Sequence, residues 1–386
     1  MADVEIGIGK TGRRAYSFDD ISIVPSRRTR DRADVDVSWE IDAFRFELPL
    51  MASAMDAAVS PQTAVEIGRL GGLAVLNLEG LWSRYDDPTP IYEEIALLPD
   101  EKATKRMQEV YAEPIREELI GKRIREIKEA GVTAAASLTP QRVLRYHQIA
   151  LEAELDILVI QGTVVSAEHV STQVEPLNLK KFIASYDLPV IVGGCASFET
   201  ALHLMRTGAA GILVGVGPGA ACTTRGVLGI GVPQATAIAD AAGARMRHLQ
   251  ETGRYVQVIA DGGMRTGGDI AKAFACGADA VMIGSPLTRA SEAPGRGYHW
   301  GMATFHPDLP RGARVKTRTI GSLKDILLGP APVNDGTMNL FGALRESMAT
   351  CGYQNIREFQ RVEISVAPSF LTEGKTYQRQ QGVGMG

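Results

Sequence analysis

The sequence predicts a TIM (β/α)8 barrel, and three features carry that prediction. Between residues 48 and 283, eight short apolar runs alternate with helix-like stretches, and eight β-α units is the number that closes such a barrel. Glycines end several of the runs, at Gly193-Gly194, Gly215, Gly262-Gly263 and Gly284, as they would at a barrel mouth that closes on one ligand. No G-x-G-x-x-G follows the first run, which weighs against a doubly wound open sheet, the structural alternative.

In chain order, residues 16–26 read as an extended segment ahead of the repeat. The first run, 48–56, is apolar and ends in small residues, and a helix-like stretch over 61–70 follows it. The remaining runs are 72–76, 132–137, 156–160, 189–193, 211–214, 255–260 and 280–283. Short apolar runs bounded by turn signals are what strands buried on both faces look like. Two irregular stretches interrupt the pattern. Residues 79–124 are polar and helix-prone, forming a helical insert after strand 2, and residues 286–333, rich in Pro, Gly, Arg and His, form a flap-like excursion after strand 8. Stretches this long in a compact enzyme are lids or disordered segments. A last helix is expected over 340–350, and the polar, Gly-rich tail at 367–386 reads as disordered, with a subunit contact as the alternative. The whole chain, 1–386, is expected to form a single catalytic barrel domain.

The composition excludes several classes. With 45% hydrophobic residues over 386 positions the chain can bury a full core, and a net charge of −4 without a long Lys/Arg run argues against nucleic-acid binding. Four scattered cysteines with no C-x-x-C suggest neither a disulfide framework nor a zinc site. The opening residues hold charges and no apolar core of a leader, and no run of 18 apolar residues exists. No signal peptide, no membrane span and a cytoplasmic location are therefore expected.

The candidate chemistry centres on residues 215–232, G-V-G-P-G-A-A-C-T-T-R-G-V-L-G-I-G-V, where six glycines and a proline surround Cys222. Such glycine density permits a loop that wraps a ligand. A thiol past the carboxyl end of a barrel strand stands where an α/β enzyme places a nucleophile. A small buried hydrophobe is the alternative reading of any cysteine, and it suits Cys195, Cys276 and Cys351. Two later strands end in glycine clusters, Asp261-Gly-Gly-Met-Arg-Thr266 and Gly284-Ser285-Pro286. Backbone N–H groups there, with a helix beginning near Thr266, form a candidate phosphate site, turn chemistry being the alternative. Asp261 would repel phosphate, so the role expected of it is to accept hydrogen bonds from a sugar diol.

With those residues in view, the chain resembles the IMP dehydrogenase / GMP reductase family, and most closely its short IMP-dehydrogenase-related branch. The likeness runs from Phe18-Asp-Asp-Ile through Ala52-Ser-Ala-Met-Asp56, the Cys222 loop with G-I-G-V-P-Q after it, A-D-G-G-M-R-T-G-G-D-I-A-K-A and V-M-I-G-S, to Asn339-Leu-Phe-Gly-Ala-Leu-Arg345. It implies a barrel that binds a purine nucleoside monophosphate, GMP or IMP, and passes hydride between purine C2 and a nicotinamide, NADPH/NADP or NAD. Cys222 matches the nucleophile that adds to C2, and Thr224 a residue that assists it. Ser53 and Met55 match residues beside the nucleotide, Asp261 with Gly262 the ribose site, and Gly263, Gly284 and Ser285 the phosphate site. Gly301 and Met302 match a pair touching the base, while His299 stands where a phosphate-binding tyrosine or a phenylalanine is common. Gln161, Gly162 and Thr163 fall at the nicotinamide end of strand four. The carbonyls of Gly217, Gly219 and Cys222 match a possible potassium site, and family members assemble as homotetramers or octamers.

The departures are as informative. Gln161 replaces the family's aspartate, Ala220 replaces a phosphate-binding serine, and residues 79–124 stand in place of a pair of CBS domains. Dehydrogenases hydrolyse the adduct with an Arg-Tyr pair on a mobile flap, and residues 303–315 contain no such pair. Reductases pair the second threonine with a glutamate; here Arg311 falls at that place, with His306 and Asp308 nearby. GMP reductase is the reading this favours, IMP dehydrogenase is the alternative, and a catalytically weak nucleotide-binding regulator is the third. Arg225, Arg265 and Arg289 are candidate phosphate contacts or solvated surface residues. His169, His203 and His248 fall in helical patterns and read as surface or packing residues. Trp39 and Trp82 are too scattered to form a binding stripe with Trp300, which is placed to stack on a ring near the mouth.

Overall fold

In the computed structural model, which describes residues 3–169, 172, 176–301, 314–367 and 381, all eight apolar runs become strands of one closed parallel barrel. In chain order these are β1 (Leu50–Ala52), β2 (Leu73–Asn77), β3 (Ala135–Leu138), β4 (Ile157–Gln161), β5 (Val190–Cys195), β6 (Gly211–Val214), β7 (Gln257–Asp261) and β8 (Ala280–Ile283). Each pairs with the next, and β8 closes on β1 from Val281 against Leu50 to Ile283 against Ala52. Closure leaves no barrel strand with an open edge, so the chain is a TIM barrel and not an open sheet.

The helices follow in turn: α1 (Pro61–Arg69), α2 (Glu117–Glu129), α3 (Val143–Glu152), α4 (Leu179–Ala184), α5 (Phe198–Met205), α6 (Gln234–Thr252), α7 (Gly267–Ala275) and α8 (Leu340–Thr350). Their starts are specified locally. The Ser60, Ser197 and Thr266 side chains accept from the third helical N–H of α1, α5 and α7, and Pro61 occupies the first position of α1. Each of these helices follows the carboxyl end of a strand, so its positive dipole end lies at the barrel mouth.

Side-chain alternation divides the core into two layers. In β4, Ile157 and Val159 point into the barrel with Leu73, Val75, Leu213, Ile259 and Met282, whereas Leu158 and Ile160 face the helices. The amino-terminal end of the barrel is plugged by an antiparallel hairpin, Trp39–Ile41 paired with Phe44–Phe46. Trp39 stacks on Phe46 with centroids 5.3 Å apart, and its indole N–H donates to Gln257 Oε1 at 3.3 Å. The ligand end is therefore the opposite, carboxyl end. A second hairpin (Asp3–Gly7 with Lys10–Arg13) and the pairing of Ile21–Ile23 with Ile364–Val366 lie outside the barrel.

Several expectations change. Residues 79–124 are not all insert: the helices Thr89–Leu97 and Asp100–Ala112 are additional, but from Glu117 the chain is α2 of the barrel, with Leu119, Ile120, Ile124 and Ile127 buried. The charge-rich composition of both helices hid that boundary. The excursion after β8 carries secondary structure of its own. The pair Tyr298–His299 lies antiparallel to Val315–Lys316, and the helix Leu323–Leu328 follows. His203 and His248 lie on helices as expected, whereas His169 sits in an exposed loop. Met302, His306, Asp308, Arg311 and almost all of the 367–386 tail lie outside the described residues.

Trp39→Ala removes the plug's largest side chain, 4% exposed. It should lower the unfolding free energy by about 3–5 kcal/mol, measured by urea denaturation, with ligand affinity unchanged because the plug is at the far end from the mouth.

Candidate active site

At the carboxyl ends of the strands the barrel opens into a cavity of about 790 Å3. Its wall holds Ser53 and Met55 after β1, Gln161, Gly162 and Thr163 at the end of β4, and Gly217, Gly219, Cys222 and Thr224 after β6. Asp261, Gly262 and Gly263 contribute from β7, Gly284 and Ser285 from β8, and Gly301 from the excursion. Residues from five strand ends thus meet on one space, although the chain separates them widely.

Two close approaches explain why glycine ends these strands. A side chain at Gly215, whose φ is +155°, would put Cβ 2.2 Å from the Asp261 carbonyl oxygen. One at Gly284 would lie 2.3 Å from Met55 Sδ. A larger residue at Gly215 would press on backbone and strain its positive φ, and one at Gly284 would have to displace the Met55 side chain from the cavity wall.

The Cys222 loop is braced from within. The Cys222 N–H donates to the Gly219 carbonyl at 3.0 Å, turning the chain so that the thiol is exposed to the cavity. Its Sγ–H donates to Thr224 Oγ1 at 3.2 Å, and Thr224 is buried at the start of a short helix, Thr224–Leu228. Arg225 donates from Nε to the Val216 carbonyl at 3.3 Å and from Nη2 to that of Val232 at 2.6 Å, tying the two ends of the loop together. The other cysteines are buried or half-buried, and burial pushes the Cys195 and Cys276 thiols up to about 12.

The floor is polar and incompletely satisfied. Gln161 donates from Nε2 to Asp261 Oδ2 at 3.1 Å, and Gln234 donates to the carbonyls of Val214 at 2.7 Å and Asp261 at 3.2 Å. The Oε1 atoms of both glutamines are buried with no partner among the described residues. Desolvation raises Asp261 from 3.8 to about 7, opposed only in part by the Gln161 bond. Buried acceptors without donors beside a carboxyl that resists ionisation could accept from a ligand's O–H and N–H groups.

Some expected contacts are elsewhere. His299 is buried in its strand, 1% exposed, and is absent from the cavity wall. Arg225 is committed to loop carbonyls, and Arg289 donates to the Arg318 carbonyl at 3.5 Å and does not line the cavity. Arg265 does line it but is paired with Asp19 and Asp269. Trp300 stacks on Tyr92, with centroids 5.9 Å apart, and not on the cavity. Gln234, Thr139, Gln141 and the segment Ser17, Phe18 and Asp19 line the cavity and carried no site assignment from sequence. For Gln234 the signal was present in G-I-G-V-P-Q; for Thr139 and Gln141 nothing local marks them. Among the described residues no three His, Cys, Asp or Glu side chains could hold a metal together, and no helix is long and apolar enough to cross a membrane.

A family model described as "IMP dehydrogenase / GMP reductase domain" matches residues 15–305. An uncharacterized oxidoreductase of Mycolicibacterium smegmatis is 50% identical over 94% of this chain and 99% of its own length. The inosine-5'-monophosphate dehydrogenase of Methanocaldococcus jannaschii is 29% identical over 90% of this chain and 91% of its length. A crystal structure of an IMP dehydrogenase/GMP reductase-like protein from Corynebacterium glutamicum superposes with a TM-score of 0.90 at 47% identity, covering 94% of this chain and 97% of that one.

The raised Asp261 makes a signed prediction. Its folded value of about 7 exceeds the unfolded one near 3.8, so the ligand-free fold loses stability as pH rises from about 4 to 7 and none further above. Asp261→Asn should therefore raise the melting midpoint at pH 8 by at least about 1 °C, the shift produced by a single kcal/mol at an unfolding entropy of about 2.1 cal/mol/K per residue over 386 residues. The gain should shrink toward pH 4, as followed by calorimetry.

Proposed function

The chain belongs to the IMP dehydrogenase / GMP reductase family, and on that premise we propose that it is a purine nucleotide oxidoreductase working as a GMP reductase. The sequence of residues 303–315 carries the choice of direction: it offers no Arg-Tyr pair to activate water, and the thiol's recorded partner is the Thr224 hydroxyl. Without a base beside C2, hydrolysis of an adduct is disfavoured relative to loss of an amino group.

In this reading the purine monophosphate lies across the mouth. Its phosphate accepts from backbone N–H groups around Gly263, Gly284 and Ser285, and its ribose hydroxyls donate to Asp261. Ser53, Met55 and Gly301 border the base. The Cys222 sulfur bonds to purine C2, the 2-amino group departs as ammonia with protons passed by way of Thr224, hydride arrives at C2, and the C–S bond breaks to release IMP. A bound nicotinamide supplies that hydride. Gln161, Gly162 and Thr163 would hold it, and the partnerless Gln161 Oε1 is the kind of acceptor a carboxamide N–H satisfies. The neutral glutamine also avoids placing a second carboxylate beside Asp261, which is already hard to ionise. The candidate cation site of Gly217, Gly219 and Cys222 offers backbone carbonyls only, a donor set suited to a weakly hydrated monovalent ion and unsuited to a transition metal. NADPH as the donor and a homotetramer as the assembly complete the proposal.

IMP dehydrogenase remains the second reading, favoured by the likeness to the M. jannaschii dehydrogenase along 90% of the chain. Near-ultraviolet absorbance of the nicotinamide separates the two. A fall with GMP and NADPH, with IMP and ammonia formed, is the expected result. A rise with IMP, NAD and potassium, with no GMP-dependent fall, would overturn the reductase reading. Cys222→Ala should lower kcat by at least about a thousandfold in whichever direction runs, and Thr224→Ala by about a hundredfold, the usual contribution of one proton-transfer group.

A further inference from the structure

One buried polar cluster lies outside the cavity wall and is not used by the chemistry above. Asp56 directly follows Met55 and is 3% exposed. Its Oδ2 accepts from the Tyr111 hydroxyl and from the Leu81 N–H at 3.2 Å, and its Oδ1 has no partner among the described residues. Tyr111 Oη in turn accepts from the Trp300 indole N–H at 2.7 Å. Tyr92 stacks on Trp300 and donates from its hydroxyl to the Asp56 carbonyl at 2.8 Å. The charge that acts on this carboxyl is the Arg84 guanidinium, which is itself bonded to the carbonyls of Glu79 and Glu113.

Three segments remote in sequence meet here. Tyr92 and Tyr111 lie on the insert helices Thr89–Leu97 and Asp100–Ala112, Asp56 lies on the turn after β1, and Trp300 lies on the excursion after β8. The chain neighbours of the last two, Met55 and Gly301, both line the cavity. Desolvation pushes Asp56 up to about 6, and the Tyr111 hydroxyl is the largest influence opposing it. Removing that hydroxyl therefore leaves a buried carboxyl without its main donor.

We propose that the Trp300–Tyr111–Asp56 hydrogen-bond chain is a positioning device, through which the insert holds the Met55 turn and the Gly301 end of the excursion in register around the nucleotide. The insert then sets substrate affinity without touching substrate. Tyr111 and Trp300 are positioning residues, and the affinity part of this inference rests on the nucleotide reading above.

Tyr111→Phe, Trp300→Phe and the double variant test it: Tyr111→Phe keeps the ring and deletes only the hydroxyl, whereas Trp300→Phe deletes the indole N–H together with part of the buried ring system. Amide exchange of the ligand-free protein should quicken at residues 53–58 and 296–301 and stay unchanged in the rest of the barrel. GMP and IMP, titrated by calorimetry, should bind about tenfold more weakly to Tyr111→Phe, the loss expected for one bond to a charged group. The double variant should cost less than the sum of the two single variants, because both changes cut one chain. Unchanged exchange at the two segments, exchange that rises evenly across the barrel, or additive costs would each overturn the proposal. Should the unsubstituted protein bind neither nucleotide, the functional reading fails, and the exchange measurement still decides the coupling.

Discussion

Closure of β8 onto β1 is the constraint on which the site depends. The Ser53 N–H donates to the Ile283 carbonyl at 2.9 Å, so the turn bearing Met55 and the glycines after β8 become neighbours only once the last strand has found the first. Parallel neighbours elsewhere in the barrel are consecutive strands joined by helical crossovers, whereas this seam joins the two ends of the repeat. It brings Gly284 against Met55 so closely that a side chain at 284 would have to displace the Met55 thioether, and it fixes where one wall of the cavity stands. The Trp39 hairpin fills the opposite end, leaving the carboxyl ends as the open face.

The cavity floor trades stability for recognition. A carboxyl raised to about 7 and two partnerless glutamine oxygens are costs to an unliganded fold, and they converge where three strands end. Apolar residues would have filled that space more stably. The groups retained are acceptors, matched to a ligand that carries hydroxyls and amides. Beside them, a thiol is presented on a loop whose two ends are tied by Arg225. That bracing lets the loop be rich in glycine without leaving Cys222 free to wander.

Much of this was legible in the sequence because barrel strands are buried on both faces and read as unbroken apolar runs. All eight runs fall on strands, with ends displaced by a few residues. Cys222, Asp261 and the strand-end glycines stood out because their neighbours are loop residues in an otherwise periodic chain. What was hidden depends on tertiary direction. Nothing in the local sequence says that Arg225 turns inward to loop carbonyls, that His299 faces the core, or that Trp300 stacks on Tyr92 of the insert. The start of α2 was obscured for a similar reason: its charged outer face continues the polar pattern of the helix before it, and only burial of Leu119, Ile120, Ile124 and Ile127 marks it as part of the barrel.

The proposed turnover requires a bond between Cys222 and purine C2, and mass spectrometry of acid-quenched turnover tests that bond most directly. Protein mixed with GMP and NADPH, quenched within the first turnovers and digested, should yield the peptide containing Cys222 with the mass of a covalently attached purine nucleotide, and the same peptide from Thr224→Ala should carry less. A fully unmodified Cys222 peptide at every quench time, in protein that is turning over, would contradict the covalent route and leave the loop as a binding element.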